Sequence, residues 1–171
     1  MSYYYTGIGS RKTPQGVLNT MTILASNLEL TGLILRSGGA DGADSAFEAG
    51  VKDSANKSIF LPWKGFNKNP SEHYTISPEA YEMAEHYHPA WNRCSFAARQ
   101  FHARNCYQVL GLNLATPSQF IVCWTPDGKH VGGTGQALRI ATDHNIPIFN
   151  MAHTASWESS FDHFMMDWRT Q

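Results

Sequence analysis

The chain has 171 residues, of which 42% are hydrophobic and 12% aromatic, and its formal net charge is −1. This length and composition are typical of one folded domain with a sizeable core, and they exclude a disordered chain. The balance of 13 basic and 14 acidic residues argues against a dedicated duplex-DNA binder, which usually needs a broad basic surface, but is compatible with a small anionic ligand.

The cysteines and the apolar segments indicate the cellular compartment in which we expect the protein. Cys94, Cys106 and Cys123 are widely spaced and form no CxxC pair, so we expect neither structural zinc nor a disulfide framework. No run approaches the roughly 18 apolar residues of a membrane span, and no basic segment precedes an apolar leader. We therefore expect a cytoplasmic protein with no membrane partner.

The first half of the chain alternates between strand and helix patterns. A strand is predicted from Tyr3 to Gly7, followed by a loop to Pro14 and a helix from Pro14 to Leu30, where apolar residues recur at helical spacing. The short apolar run Leu33–Leu35 predicts a buried parallel strand. A helix is predicted from Asp41 to about Ala55.

The second half continues the same alternation after one long irregular stretch. That stretch, Trp63–Ser77, reads as a loop of the length that is often functional in compact domains. The predicted strands are 58–61, 120–123 and 147–150, and the predicted helices are 78–87, 93–112, 135–144 and 157–168.

Alternating strands and helices predict right-handed βαβ units around an open, mostly parallel sheet of about five strands, an α/β fold. In such sheets the ligand lies beyond the carboxyl ends of the strands, where the strand order reverses. Three glycine-containing turns follow predicted strands, so all three are expected to face that edge.

The first turn combines Gly9, Ser10 and Arg11 after a strand. It lacks the third glycine of a dinucleotide fingerprint and the Gly-Lys-Ser/Thr of a Walker loop. A guanidinium next to a hydroxyl can hold a phosphate through two hydrogen bonds, but the same residues also suit a solvated loop. Both interpretations remain open.

The second turn, Ser37–Asp44, holds three glycines and two aspartates that open a helix. Asp41 is explained by helix capping and by the helix dipole. Asp44 lies deeper in the predicted helix, and we consider that one of the two aspartates binds a ribose hydroxyl or supports positive charge on a sugar. The conformational freedom of Gly38 and Gly39 would let the backbone approach a ligand.

The third turn places three glycines among four residues, Gly132, Gly133, Thr134 and Gly135. At the start of a helix, their N–H groups and the Thr134 hydroxyl favour an anion. Together the three turns predict a shared crevice for a phosphorylated ligand.

The histidines carry no recognisable metal signature. No HExxH motif or paired cysteine set accompanies His73, His86, His88 or His102, so we assign no metal ligand and no cofactor.

These motifs resemble the SLOG superfamily of Rossmann-like proteins, which unites the DNA-processing protein A (Smf/DprA) family with the Lonely Guy (LOG) phosphoribohydrolases. The resemblance covers roughly residues 5–150 and implies one Rossmann-like three-layer domain over residues 1–171. Four segments carry it: Gly9–Pro14, Ser37–Asp44, Phe101–Asn105 and Gly132–Gly135.

The chain departs from both branches of that superfamily. Asp41 stands where the DNA-processing family has an arginine. Arg139 stands where the phosphoribohydrolases have their catalytic glutamate, whereas Arg104 matches their catalytic arginine. If this chain is an enzyme, a question the resemblance leaves open, Asp41, Asp44 or Glu48 would have to replace that glutamate.

Three functions follow from the resemblance. The first is a sensor or sequestering module for a nucleotide-like ligand, the second an N-glycosidic hydrolase of nucleoside phosphates, and the third a mediator that binds single-stranded DNA. Self-association is expected because related folds commonly dimerise. The ligand-binding residues it implies are Gly9, Ser10, Arg11, Ser37, Gly38, Gly39, Asp41, Asp44, Arg104, Asn105, Gly132, Gly133, Thr134 and Gly135.

Overall fold

Five strands and six α-helices follow one another along residues 1–154 and 156–171, which the computed structural model describes, and they alternate except where two helices separate the third and fourth strands. The strands are β1 (Tyr3–Gly9), β2 (Leu33–Ser37), β3 (Lys57–Ile59), β4 (Ile121–Trp124) and β5 (Ile148–Asn150). The helices are α1 (Gln15–Leu30), α2 (Ala43–Gly50), α3 (Pro78–Tyr87), α4 (Phe96–Leu110), α5 (Gly132–Asp143) and α6 (Trp157–Thr170). Within these ranges, no helix has the length and apolar character that crossing a membrane requires.

All strands pair in parallel, in the order β3-β2-β1-β4-β5. The chain moves outward from β1 through β2 to β3, then returns to the other side of β1 with β4 and β5. The order therefore reverses between β1 and β4, and a crevice is expected beyond their carboxyl ends. The predicted α/β fold with a parallel five-stranded sheet is confirmed.

The helices cover both faces of the sheet and make it a three-layer domain. One core joins α1, α2 and α6 to strand residues such as Tyr5 and Val122. The other joins α3, α4 and α5 to residues such as Ile8 and Cys123. Neighbouring strand residues point to opposite faces, so Val122 and Cys123 serve different cores.

Helix α2 is shorter than predicted and ends at Gly50 rather than near Ala55. The carboxylate of Glu29, at the end of α1, accepts hydrogen bonds from the N–H groups of Lys52 (3.0 Å) and Asp53 (2.9 Å). Because these N–H groups are bound to a side chain, they cannot continue the helix.

Candidate functional site

A cavity of about 500 Å³ lies at the point where the strand order reverses. Five elements build its walls: the turn after β1, the start of α2, one face of α4, the turn after β4 and the start of α5. The lining residues are Ile8, Gly9, Ser10, Arg11, Lys12, Ala40, Asp44, Ala98, Phe101, His102, Arg104, Asn105, Gln108, Thr125, Pro126, Val131, Gly132, Gly133 and Thr134.

The start of α5 presents unpaired backbone donors to this cavity. The N–H of Gly135 donates to the carbonyl of Val131 (3.0 Å), which begins the helix. The preceding N–H groups, of Gly132, Gly133 and Thr134, have no acceptor among the described residues, as expected in a first helical turn. The positive end of the helix dipole thus faces the cavity.

Gly135 itself lies behind this wall and serves packing. A Cβ there would lie 2.5 Å from the carbonyl carbon of His130, so only glycine lets the helix approach the loop before it. Of the four predicted residues in this turn, three line the cavity and Gly135 supports them.

Internal hydrogen bonds hold the turn after β1 in place. The N–H of Ser10 donates to Trp124 at the end of β4 (3.0 Å), and the N–H of Lys12 donates to the Ser10 hydroxyl (3.0 Å). The Thr13 hydroxyl donates to the Ser10 carbonyl (2.6 Å). Arg11 and Lys12 are exposed side chains on this rigid turn, and both line the cavity.

Arg104 is the centre of a buried network that joins three turns. Its Nη1 donates to the carbonyls of Gly38 and Phe60, the latter at 3.0 Å. Its Nε donates to Oδ1 of Asn105 (3.1 Å), and Nδ2 of Asn105 donates to the carbonyl of Gly133 (3.0 Å). Within the described residues Nη2 makes no hydrogen bond, so it can bind a ligand in the cavity.

Asp44 is buried in the cavity wall and has no cation within 4.0 Å among the described residues. Burial raises its pKa to about 6 from the ordinary 3.8, although the nearby Arg104 and the N–H groups of Ala40, Gly9 and Gly38 favour the carboxylate. Burial also lowers the pKa of Arg104 to about 10. Both groups are therefore charged at pH 7, at a cost to folding.

The charges around the cavity are predominantly positive. Arg11, Lys12 and Arg104 line it against a single carboxylate, that of Asp44. The guanidinium groups of Arg11 and Arg104 lie 5.7 and 5.5 Å from the centre of the Phe101 ring, so two like charges lie close to the same aromatic side chain. An anion bound near both guanidinium groups would relieve the repulsion between them.

One face of α4 adds Ala98, Phe101 and Gln108 to the predicted Asn105. Ala98, Phe101, Asn105 and Gln108 recur at three- and four-residue spacing and line the cavity. A row of aromatic and amide side chains on one face of a helix could have indicated from the sequence that this face lines a binding site. Lys12 was missed because its neighbour Arg11 already accounted for the cation of that turn.

Several predicted residues lie outside the cavity lining and have structural roles. Ser37 donates to the carbonyl of Gly7 (2.6 Å) inside the sheet. A Cβ on Gly38 would lie 2.1 Å from Gln108 Nε2, so this glycine makes room for the α4 side chains. Gly39 accepts a hydrogen bond from Asn67 (3.0 Å).

The other carboxylates also lie outside the cavity lining. Asp41 is exposed, and the Glu48 carboxylate pairs with Lys57 (3.3 Å) and Asn69 (3.0 Å). Arg139 donates to the carbonyl of Tyr87 (3.1 Å) and so faces α3. Of the residues proposed to replace the phosphoribohydrolase glutamate, Asp44 is the one that reaches the cavity.

Comparisons with known proteins support the fold. Neither a protein-family model nor a curated protein sequence matches the chain. The fold is similar to that of DNA processing protein A from Helicobacter pylori, a protein whose structure was studied for its single-stranded DNA binding mode. The identity is 16%, the TM-score is 0.56, and the match covers 86% of this chain and 64% of that one. This chain thus matches less than two thirds of the length of its structural neighbour.

Proposed function

We propose that this protein binds a phosphorylated nucleoside derivative in the cavity between β1 and β4, as a sensor or sequestering module. One observation carries the proposal: free N–H groups at the start of α5 and three cationic side chains share a cavity that contains one carboxylate.

The phosphate would lie between α5 and the turn after β1. The N–H groups of Gly132, Gly133 and Thr134 would donate to its oxygens, and Arg11 would complete the shell from the opposite wall. A hydrogen bond to a charged group contributes about 1.5–3 kcal/mol, whereas micromolar binding requires about 8 kcal/mol. Two such bonds are therefore not enough, and contacts to the rest of the ligand must contribute.

The remaining volume suits a nucleoside. A cavity of about 500 Å³ falls within the range of small-molecule sites, about 300–1,000 Å³. The Asp44 carboxylate would accept hydrogen bonds from ribose hydroxyls, and the Phe101 ring offers apolar surface to the base.

A matched titration tests this proposal. Adenosine, its 5′-monophosphate, its diphosphate and 3′,5′-cyclic adenosine monophosphate, followed by the other bases and ADP-ribose, are titrated in thermal-shift and calorimetric assays. A ligand at 100 times its dissociation constant stabilises the fold by about 2.7 kcal/mol, or roughly 5–10 °C for a chain of this size. Binding by phosphorylated members and not by the free nucleosides supports the proposal.

Arg11→Gln is expected to weaken phosphate binding about tenfold or more. Arg169→Gln, at an exposed position near the end of α6, changes the net charge equally and should leave binding unchanged. If no phosphorylated nucleoside binds, or if nucleosides bind as tightly as their phosphates, the proposal is wrong.

Hydrolysis of the N-glycosidic bond is a second candidate, because Asp44 is a buried carboxyl with a pKa of about 6 beside Arg104. Water would add across the bond, with the oxygen going to C1′ and a proton to the departing base, while the carboxylate stabilises the sugar cation. Chromatography for released base tests it, and Asp44→Asn should abolish the release.

Binding of single-stranded DNA is a third candidate, favoured by the similarity to the Helicobacter pylori protein. A gel shift at low salt with a labelled oligonucleotide tests it. If the positive cavity holds the strand, Arg11→Gln should weaken the complex and lower its salt dependence. Sedimentation of the free and bound protein would test self-association.

A further inference from the structure

Two histidines and a cysteine converge beside the cavity. His88 follows α3, Cys94 precedes α4 and His102 lies on α4, and one ligand atom from each lies within 4.8 Å of the others. The two imidazole rings are 4.3 Å apart between centres. The absence of an HExxH motif and of a paired cysteine set predicted no metal ligand, but the packing of α3 against α4 brings these three side chains together.

The separation of Cys94 and His88 is close to that of two ligands on one metal ion. Cys94 Sγ lies 3.8 Å from Nδ1 and 3.7 Å from Nε2 of His88. Bond lengths of about 2.3 Å to sulfur and 2.0–2.1 Å to nitrogen put the ligand atoms of a tetrahedral zinc site roughly 3.6 Å apart. Cys94 and His88 are therefore already at the separation of two ligands of one ion, but the His88 ring must turn to aim its lone pair, because Sγ is almost equally far from both nitrogens. His102 is within 4.8 Å of both and completes the set.

The hydrogen-bond network settles which nitrogen of His102 is free. Arg104 donates to Oδ1 of Asn105, so Nδ2 of Asn105 is the donor toward Oε1 of Gln136 (3.2 Å). That oxygen can only accept, so Nδ1 of His102, 3.3 Å away, carries the proton. The Nε2 lone pair of His102 is left available, with the other nitrogen held by an amide oxygen as metal-bound histidines usually are.

His88 also offers an unprotonated nitrogen. Its Nδ1 accepts a hydrogen bond from the N–H of Ala90 (3.0 Å), and a metal would take this lone pair in place of that bond. Cys94 is half-buried and supplies the thiolate.

The geometry points to a site for a divalent ion of the zinc class, bound by Nδ1 of His88, Sγ of Cys94 and Nε2 of His102. Imidazole and thiolate are the ligands that zinc prefers, and three protein ligands leave a fourth position for water or a ligand group. His102 also lines the cavity, so the ion would lie in its wall.

Cobalt substitution tests the site on the full-length chain, independently of any nucleotide. The chelator-treated protein is titrated with Co²⁺, and zinc affinity is measured by competition. We expect one ion per chain, the visible spectrum of tetrahedral cobalt and a thiolate charge-transfer band. An octahedral spectrum without that band, or no binding, would overturn the assignment.

Matched variants separate these ligands from other side chains. Cys94→Ser should remove the charge-transfer band, whereas Cys106→Ser, whose buried thiol lies against the Ala80 carbonyl, should retain it. His88→Ala should weaken zinc binding more than 100-fold, whereas His86→Ala, an exposed neighbour, should not.

Gln136→Met leaves all three ligands in place and should weaken zinc binding about 10–100-fold, since it frees the His102 ring. Circular dichroism of every variant checks that the fold persists. Equal metal binding by Cys94→Ser and Cys106→Ser would show that the cysteine is no ligand and that the assignment is wrong.

Discussion

Replacing Asp44 by asparagine should change how the stability of the ligand-free protein depends on pH. The folded protein holds the Asp44 proton up to a pKa of about 6, against an ordinary value of 3.8. Between these two values the unfolded chain ionises first, so the wild-type protein loses stability as pH rises. Below pH 3.8 the Asp44 carboxyl is protonated in both the folded and the unfolded protein, so its ionisation no longer lowers the free energy of unfolding.

The size of the effect follows from the two pKa values. At 1.36 kcal/mol per pKa unit, the difference between 3.8 and about 6 corresponds to about 3 kcal/mol, fully developed above about pH 7. Asparagine is neutral at every pH and avoids this penalty. If the variant loses the hydrogen bond from the Ala40 N–H, its free energy of unfolding falls by an amount that does not depend on pH.

Urea unfolding of both proteins from pH 3.5 to 8 measures the difference. We expect the free energy of unfolding of the wild-type protein to fall relative to Asp44→Asn by about 3 kcal/mol in total, about 2 kcal/mol of it between pH 4 and 6, and to stay level above about pH 7. Asp41→Asn, at an exposed position, should show no such change. A flat difference, or one in which the wild-type protein gains stability with pH, would refute the reasoning.

Two further predictions concern glycines whose surroundings differ. Gly135→Ala puts a Cβ 2.5 Å from backbone and should cost about 1–3 kcal/mol, whereas Gly133→Ala meets its nearest atom at 4.0 Å and should change stability by less than about 1 kcal/mol; equal losses in urea unfolding would contradict this. Gly111→Ala combines a φ of +77° with a contact of 2.6 Å to the buried Arg36 guanidinium and should cost more than about 2 kcal/mol. Gly32 has a similar φ of +83° but open space around it, so Gly32→Ala should cost only the backbone strain, about 1 kcal/mol. Thermal unfolding of Gly32→Ala and Gly111→Ala should therefore separate backbone strain from steric overlap.

The architecture could be predicted from the sequence because it rests on local patterns. Apolar runs such as Leu33–Leu35 and the helical spacing of α1 are visible without tertiary information, and their alternation fixes a parallel sheet. The end of α2 could not be predicted, because it depends on Glu29 of another helix accepting hydrogen bonds from Lys52 and Asp53.

The candidate site was predictable only in part. Gly132 and Gly133 lie at the cavity as expected, but Gly38, an equally conspicuous glycine, gives space to side chains of α4 instead. A glycine signals close approach and does not say whether a ligand or a helix approaches. The cluster around His102 and Cys94 depends on how two helices pack, which no spacing along the chain reveals.

The amide resonances of Gly132, Gly133 and Thr134 test most directly whether phosphate binds at the start of α5. In ¹⁵N-labelled protein titrated with adenosine 5′-monophosphate, with adenosine as the control, hydrogen bonding to phosphate should shift these three signals more than those of other residues, and adenosine should not reproduce the shifts. Saturable binding that leaves all three signals in place, or equal shifts with adenosine, would contradict a phosphate site at the start of α5.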